Sequence, residues 1–427
     1  MTEISDDGVF EEVPSPFCGV GTDDLAIKVV GKTVKVIKNG CRVNTPAFEQ
    51  PMGDIRPRVE GKKVSLKAAI DRAAELLRAA QLPLFGGLAT DVNGMRETLA
   101  LADRTGAVVD NMNFEKALRN FRVVHDTGWI NTTLAEVKNR CDLLLVVGCD
   151  IEALFPRFFE RYLWTEDTMF LDDPGHRTVV YLGKGPSGSA SKSPSGKAAK
   201  VLACPDSDLP GVLAVLRALV KGNSLDITGV GGISVGELQR LAVQLKKARY
   251  GVVTWAAGAM EFPNADLTVE TISKMIKELN VTTRCSGLPL GGKNGDQTSY
   301  QVAGWQTGFP SRINFSAGFP DYDPYLNSID SRLADGSGDL LLWISAFDAE
   351  ATPPTTKLPR IVLGRSGMKF EKEPDVFIPI GTPGIDHSDH AYRTDNVVAL
   401  RLPKLRESSL PATSDILAAI EQSLRET

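Results

Sequence analysis

From Ser65 onward, amphipathic helical stretches alternate with short apolar runs, which restricts the chain to an α/β architecture with a largely parallel sheet. Leu66, Ala69, Ile70, Ala73, Leu76, Leu77 and Ala80 recur at three- and four-residue steps and predict a helix. It feeds Pro83-Leu84-Phe85-Gly86-Gly87, a short strand ending in glycines. A second helix over about 93–104 leads to Ala107-Val108-Val109. The run from Asp142 to Gly148 is continuously apolar and closed by glycine, the pattern of a strand covered on both faces. Thr178–Leu182 and Lys200–Ala203 predict further strands. Between these two lies a segment rich in Gly, Ser and Pro with too little apolar surface to pack. It reads as a solvated loop, and Lys184, Lys192, Lys197 and Lys200 are its candidates for touching an anionic chain.

The second half repeats the theme. A helix over 235–248 feeds Gly251–Trp255, a helix over 267–279 precedes the strand-like Val281-Thr282-Thr283, and Gly338–Ile344 echoes the run at 142. Residues 360–364 and 376–380 would complete that sheet, and 414–424 predicts a surface helix. At 427 residues the chain is long for one core. The expected division is a small N-terminal β cap (1–62) followed by two related Rossmann-like lobes (63–210 and 211–427). The cap rests on Ile27, Val29, Val34 and Val36, which alternate with polar residues as in a half-buried hairpin.

A formal net charge of −5 gives no basic footprint for nucleic acid, and no apolar run approaches the roughly 18 residues of a membrane span. Glu3, Asp6, Asp7, Glu11 and Glu12 stand where a signal peptide needs a positive start, so a cytoplasmic location is expected. The six cysteines are scattered in the manner of reduced thiols. Cys141 and Cys149 flank an apolar strand as small core residues.

The most informative motif is a broken one. Ser15-Pro16-Phe17-Cys18-Gly19-Val20-Gly21-Thr22-Asp23-Asp24, with Asn39-Gly40-Cys41-Arg42 behind it, has the spacing of a turn that presents thiolates to a cubane iron–sulfur cluster. Ser15 and Thr22 stand at the first and third thiolate positions, and only Cys18 and Cys41 remain. Two thiolates do not hold such a cluster. The frame resembles the N-terminal cluster motif of molybdopterin and tungstopterin oxidoreductases. Its Cys18-Gly19, Asp23-Asp24 and Asn39-Gly40-Cys41 variant resembles the B subunit of formylmethanofuran dehydrogenases, and most of all that of bacterial formyltransferase/hydrolase complexes.

That resemblance implies a cap and two lobes with a bis-pterin cofactor between them, the closing β-barrel being carried by a different subunit. It also implies a Cys or selenocysteine metal ligand and a neighbouring His in the stretch Asp110-Asn111-Met112-Asn113-Phe114-Glu115, which contains neither. Met112 there reads as a packing residue. Asn314–Pro320 resembles a further family stretch, in which dehydrogenases tend to carry arginine at the position of Ala317. The iron–sulfur and tungsto- or molybdopterin sites thus read as lost, with no cofactor expected in this chain.

Other candidates are weaker. Gly291-Gly292-Lys293-Asn294-Gly295 lacks P-loop spacing, but with Gln297 it could cradle a phosphate through backbone N–H groups. Gly292, Asn294 and Gln297 are therefore the cleft candidates, with the neighbourhood of Gly148 as a second place for a remnant pterin pocket. Asp386, His387, Asp389 and His390 have a spacing that could bind metal, although a polar surface loop is the expectation. His125 and His176 stand alone as hydrogen-bonding residues.

The resemblance implies a non-catalytic, structural B subunit of a formyltransferase/hydrolase complex. Such a complex converts formyl-tetrahydromethanopterin to formate through a methanofuran-type carrier. Its partners would be an amidohydrolase-like A subunit, a C subunit and a formyl-transferring D subunit. The alternatives are a working tungsten- or molybdenum-pterin subunit of a formylmethanofuran dehydrogenase and a pterin- or nucleotide-binding regulatory module.

Overall fold

The computed structural model describes residues 8–426; Glu3, Asp6 and Asp7 lie outside them. The chain forms two compact units, one made of the residues up to Phe114 together with those from Gly292 on, the other of Glu115–Gly291.

The first unit is built on a nine-stranded sheet. Its strands run, in spatial order, Asp321–Tyr322, Ile313–Asn314, Val108–Val109, Pro83–Ala89, Leu340–Ser345, Arg360–Arg365, Val376–Ile380, Arg58–Val59 and Lys62–Lys63. The central five are parallel and the outer ones antiparallel. Helices Leu66–Ala79, Val92–Thr105 and Thr413–Arg425 place Ala73, Leu77, Met95, Leu99, Ile416 and Ile420 in a core with Phe85, Leu342 and Ile361. Helix starts are sealed locally, as where Asp91 accepts the Gly94 N–H at 2.7 Å.

The second unit carries a wholly parallel five-stranded sheet in the order Lys200–Leu202, Thr178–Leu182, Leu143–Val147, Gly251–Trp255, Cys285–Pro289. Helices Leu209–Val220, Val235–Lys247 and Ala265–Leu279 bury Leu213, Leu216, Leu241, Leu245, Ile272 and Ile276 against it. The segment 183–199 forms no regular element and its lysines are exposed, but it is not the free solvated loop expected: Ser191 and Ser193 are buried, and the Ser187 and Ser191 N–H groups donate to Asp150 at 2.9 Å and Glu152 at 2.6 Å.

The α/β class with largely parallel sheets is as expected, but the division of the chain differs. Residues 63–210 contribute strands to both sheets, and so do 211–427. Strands buried on both faces carry no mark of their neighbour, so succession along the chain misassigned them. Residues 1–62 are not a separate body either. Val9–Val13, Leu25–Val30 and Thr33–Lys38 form a three-stranded antiparallel sheet, but Val13, Phe17, Leu25, Ile27 and Phe48 share a core with Phe347, Ile385 and Leu405.

A further correction concerns residues 281–283. Val281 is 83% exposed and the segment is a turn; the strand begins at Cys285. The helix Thr413–Arg425, expected at the surface, buries Ile416, Leu417 and Ile420.

Candidate functional site

The turn at residues 15–22 is closed by a Ser15 N–H to Thr22 carbonyl hydrogen bond of 2.8 Å and by Gly21 N–H to the Cys18 carbonyl at 3.0 Å. Gly21 has φ +56°, and a Cβ there would stand 2.5 Å from the Leu400 side chain, so a larger residue would be strained and crowded. Asn39 Nδ2 donates to the Asp24 carbonyl at 2.8 Å, drawing the second half of the motif against the first. Residues 15, 18, 22 and 41 therefore do converge.

What they converge on is Asn44, the first residue of helix Asn44–Phe48. Ser15 Oγ donates to Asn44 Oδ1 at 2.7 Å, and Asn44 Nδ2 donates to Thr22 Oγ1 at 3.0 Å. The Asn44 N–H points at Cys41 Sγ, 3.4 Å away, and Cys18 Sγ lies 3.6 Å from Thr22 Oγ1. Ser15, Thr22 and Asn44 are buried, with exposures of 1%, 0% and 0%. A cubane cluster does not fit this arrangement: two hydroxyls replace soft thiolate donors, and a carboxamide bridges them. Among the described residues no group of three or more His, Cys, Asp or Glu side chains could hold a metal ion. Asn44 was missed at the sequence level. Two buried hydroxyls at thiolate positions require a polar partner, and that requirement was the signal.

Beside this network, outside the carboxyl ends of Leu340–Ser345 and Arg360–Arg365, lies a cavity of about 460 Å³. This end of a parallel sheet, near the reversal of strand order, is where open α/β sheets bind ligands. Phe17, Ala47, Phe347 and Pro51 give it apolar walls; Gln50, Lys293, Asn294, Asp348 and Glu350 are polar. Burial lowers the Lys293 pKa, with the charge of Arg42 acting in the same direction and that of Asp296 opposing it.

Of the three cleft candidates only Asn294 lines this cavity. Gly292, at φ +74°, turns toward its own chain, since a Cβ there would meet Gln297 Cβ at 2.8 Å. Gln297 is itself hydrogen-bonded to Asn396. Gly295 packs closely on the Thr90 carbonyl, which lies 2.6 Å from where a Cβ would stand, so this backbone seals the crevice more than it cradles a ligand. At Gly148 in the second unit, Leu209 packs against the turn, 2.7 Å from where a Cβ would stand.

Most polar groups of the stretch at 110–115 are bonded into the protein, although the buried Asn111 Nδ2 has no hydrogen-bond partner among the described residues. Asp110 accepts from Ser311 Oγ at 3.2 Å and from the Ile329 N–H at 3.1 Å, with Arg312 Nε 3.5 Å away. Burial pushes the Asp110 pKa up to about 7 against these favourable contacts. Asn111 Oδ1 accepts from Tyr300, Asn113 donates to Asp296, and Met112 packs against the apolar clusters. Ala317 is exposed on the hairpin between the strands at 313–314 and 321–322.

Residues 384–390 correct the expectation of a surface loop. Asp386 is buried in an ion pair with Arg406 at 2.8 Å, and His387 Nε2 lies 2.9 Å from Asp91 Oδ2. Burial lowers the His387 pKa, but the hydrogen bond and charge of Asp91 outweigh it and leave the imidazole raised. His390 is half exposed, His176 pairs with Asp173 at 2.7 Å, and His125 sits against the Phe121 ring.

No family model matches the chain. It is 26% identical over 405 residues to the B subunit of tungsten-containing formylmethanofuran dehydrogenase 2 from Methanocaldococcus jannaschii, covering 91% of this chain and 92% of the relative. It is also 26% identical over 333 residues to the B subunit of the formyltransferase/hydrolase complex of Methylorubrum extorquens, over 76% of this chain and 85% of the relative. Among solved structures, the formyltransferase/hydrolase complex from Methylorubrum extorquens with methylofuran superposes with a TM-score of 0.73 at 23% identity, over 87% of this chain and 99% of the other. Acetylene hydratase from Pelobacter acetylenicus gives 0.60 at 9% identity, over 97% and 69%. These likenesses show the fold. The sequence-level resemblance to the B subunits of formylmethanofuran dehydrogenases and to their formyltransferase/hydrolase counterpart holds over most of the chain.

Proposed function

We propose that this chain is a structural B subunit of a formyltransferase/hydrolase complex, assembled with A, C and D subunits and working on a methanofuran-type carrier. The complex would release formate from formyl-tetrahydromethanopterin, with the chemistry on the partner subunits and no iron–sulfur cluster, pterin or metal in this one. Among the described residues no helix is long and apolar enough to cross a membrane, and we place the complex in the cytoplasm.

One observation carries the reading. The four positions whose relatives' frame would present thiolates still converge, yet they are satisfied by one another and by Asn44. The fold at that point is held by hydrogen bonds, so cluster ligation is not needed to maintain it. The stretch at 110–113 supports the same reading, since its side chains are directed to Ser311, Tyr300 and Asp296.

The test is the complex carrying Cys18→Ser and Cys41→Ser together. Formate release within about twofold of the parent is expected, because neither thiol takes part in chemistry. A folded, fully assembled variant complex that has lost its activity would contradict the reading. A second reading, a ligand-binding module, draws on the 460 Å³ cavity beside Lys293 and Asn294. It requires an organic molecule that copurifies with the chain.

A further inference from the structure

The two edges of the nine-stranded sheet are finished differently. One edge strand is Lys62–Lys63, two exposed lysines of which Lys63 is paired with Asp54 at 3.0 Å, and charged side chains on an edge discourage another chain from adding there. The other is Asp321–Tyr322, and the hairpin that carries it exposes Phe319, Tyr325 and Leu326 at 59%, 56% and 62%.

These side chains stand on ordered backbone. Asp323 Oδ1 accepts the N–H groups of Tyr325 and Leu326, each at 2.8 Å. Ser331 Oγ donates to the Tyr325 carbonyl at 2.9 Å, and the buried Arg312 donates to the Pro324 carbonyl. Tyr322 stacks on Phe309 with ring centres 5.1 Å apart. Apolar groups carried on backbone that is already ordered spare part of the ordering cost of association.

Charge selects the occupant. From Ile313 to Ser331 the chain carries Asp321, Asp323 and Asp330 and neither Lys nor Arg; of the flanking cations, Arg312 is buried beside Asp110 and Arg332 is largely covered, bonded to Asn327 at 2.8 Å and facing Asp335. A second copy meeting this face about a two-fold axis would set carboxylates against carboxylates. We propose that the hairpin at 313–328 is a docking surface for another protein subunit, whose complementary face is an apolar hollow rimmed by Lys or Arg. The inference rests on the proposed role within a multi-subunit complex and specifies which surface makes the assembly.

The experiment uses the full chain coexpressed with its A, C and D subunits, comparing the parent with Phe319→Ser/Leu326→Ser and with Asp321→Lys. The parent complex should assemble and weaken with added salt. The double variant, with an unchanged thermal midpoint as a free chain, should bind at least about tenfold more weakly. Asp321→Lys should weaken binding at low salt and reduce the salt dependence. Amides of 316–326 should gain protection from hydrogen exchange on assembly of the parent, a readout that needs no variant. A parent that assembles with its partners while the variants bind equally and 316–326 stays unprotected would overturn the docking surface alone. A parent that never assembles would overturn the proposed role in the complex. A parent whose self-association is what the variants abolish would assign the face to a second copy and overturn the proposal.

Discussion

The parallel strands of each unit's sheet have a point where strand order reverses, and the two points are finished in different ways. In the first unit, the region outside the carboxyl ends of the central strands keeps a cavity with Lys293, Asn294 and Asp348 on its wall, bordered by the Ser15–Asn44–Thr22 network. In the second, Gly148 and its surroundings are closed by Leu209 and Met260. Polar groups at such a point can thus be paired with one another beside an open cavity, or the point can be packed with hydrocarbon. The first route costs stability when a partner is removed; the second costs stability when volume is removed.

The largest effect that sharpens this contrast belongs to the apolar closure. Leu209→Ala should destabilise the second unit by about 3 kcal/mol, read from denaturant midpoints, because Leu209 is fully buried in its core. Gly148→Ala should also destabilise, through its φ of +65° and the Leu209 contact, and should cost less in the Leu209→Ala background. Additive losses would show that Leu209 does not fill the glycine's space.

Asn44→Ala comes next, at about 2 kcal/mol, since it strands the Ser15 and Thr22 hydroxyls in a buried site. A neutral outcome would mean the network contributes nothing to the cap.

Smaller effects appear as pH dependence. Asp110 has its folded pKa raised to about 7 by burial, so the native state binds a proton that the unfolded chain releases above its ordinary value. Stability should therefore fall as pH rises through the interval between them, up to about 7, and Asp110→Asn should flatten that slope. The His387 pKa is also raised, net of burial, by Asp91. Its contribution is complete below the ordinary imidazole value and disappears as pH rises through the folded one, so His387→Gln should remove the decline on that higher side. Thermal midpoints across pH 4–9 separate the two variants. Smallest of all is Gln297→Ala, about 0.5 kcal/mol, since its bond to Asn396 is exposed.

The helices and most strands were legible because their periodicity or continuous apolarity follows directly from burial. The strand Cys285–Pro289 was not, since Cys-Ser-Gly-Leu-Pro has little intrinsic strand character and owes its conformation to pairing with Gly251–Trp255. The partition of strands between sheets was equally hidden. At the candidate site, the loss of thiolates could be read from Ser15 and Thr22, but Asn44 required three dimensions, because a partner for two hydroxyls is defined by convergence and not by spacing. Asp110 was visible only as part of a stretch lacking Cys and His; its burial against Arg312 and Ile329 depends on segments some 200 residues away.

The most direct measurement is the iron, tungsten, molybdenum and pterin content of the intact complex isolated through this chain, taken together with its formate release from formyl-tetrahydromethanopterin. The account predicts that all four are absent from this protein while formate is still released. Stoichiometric tungsten or molybdenum with pterin bound to this chain would contradict it.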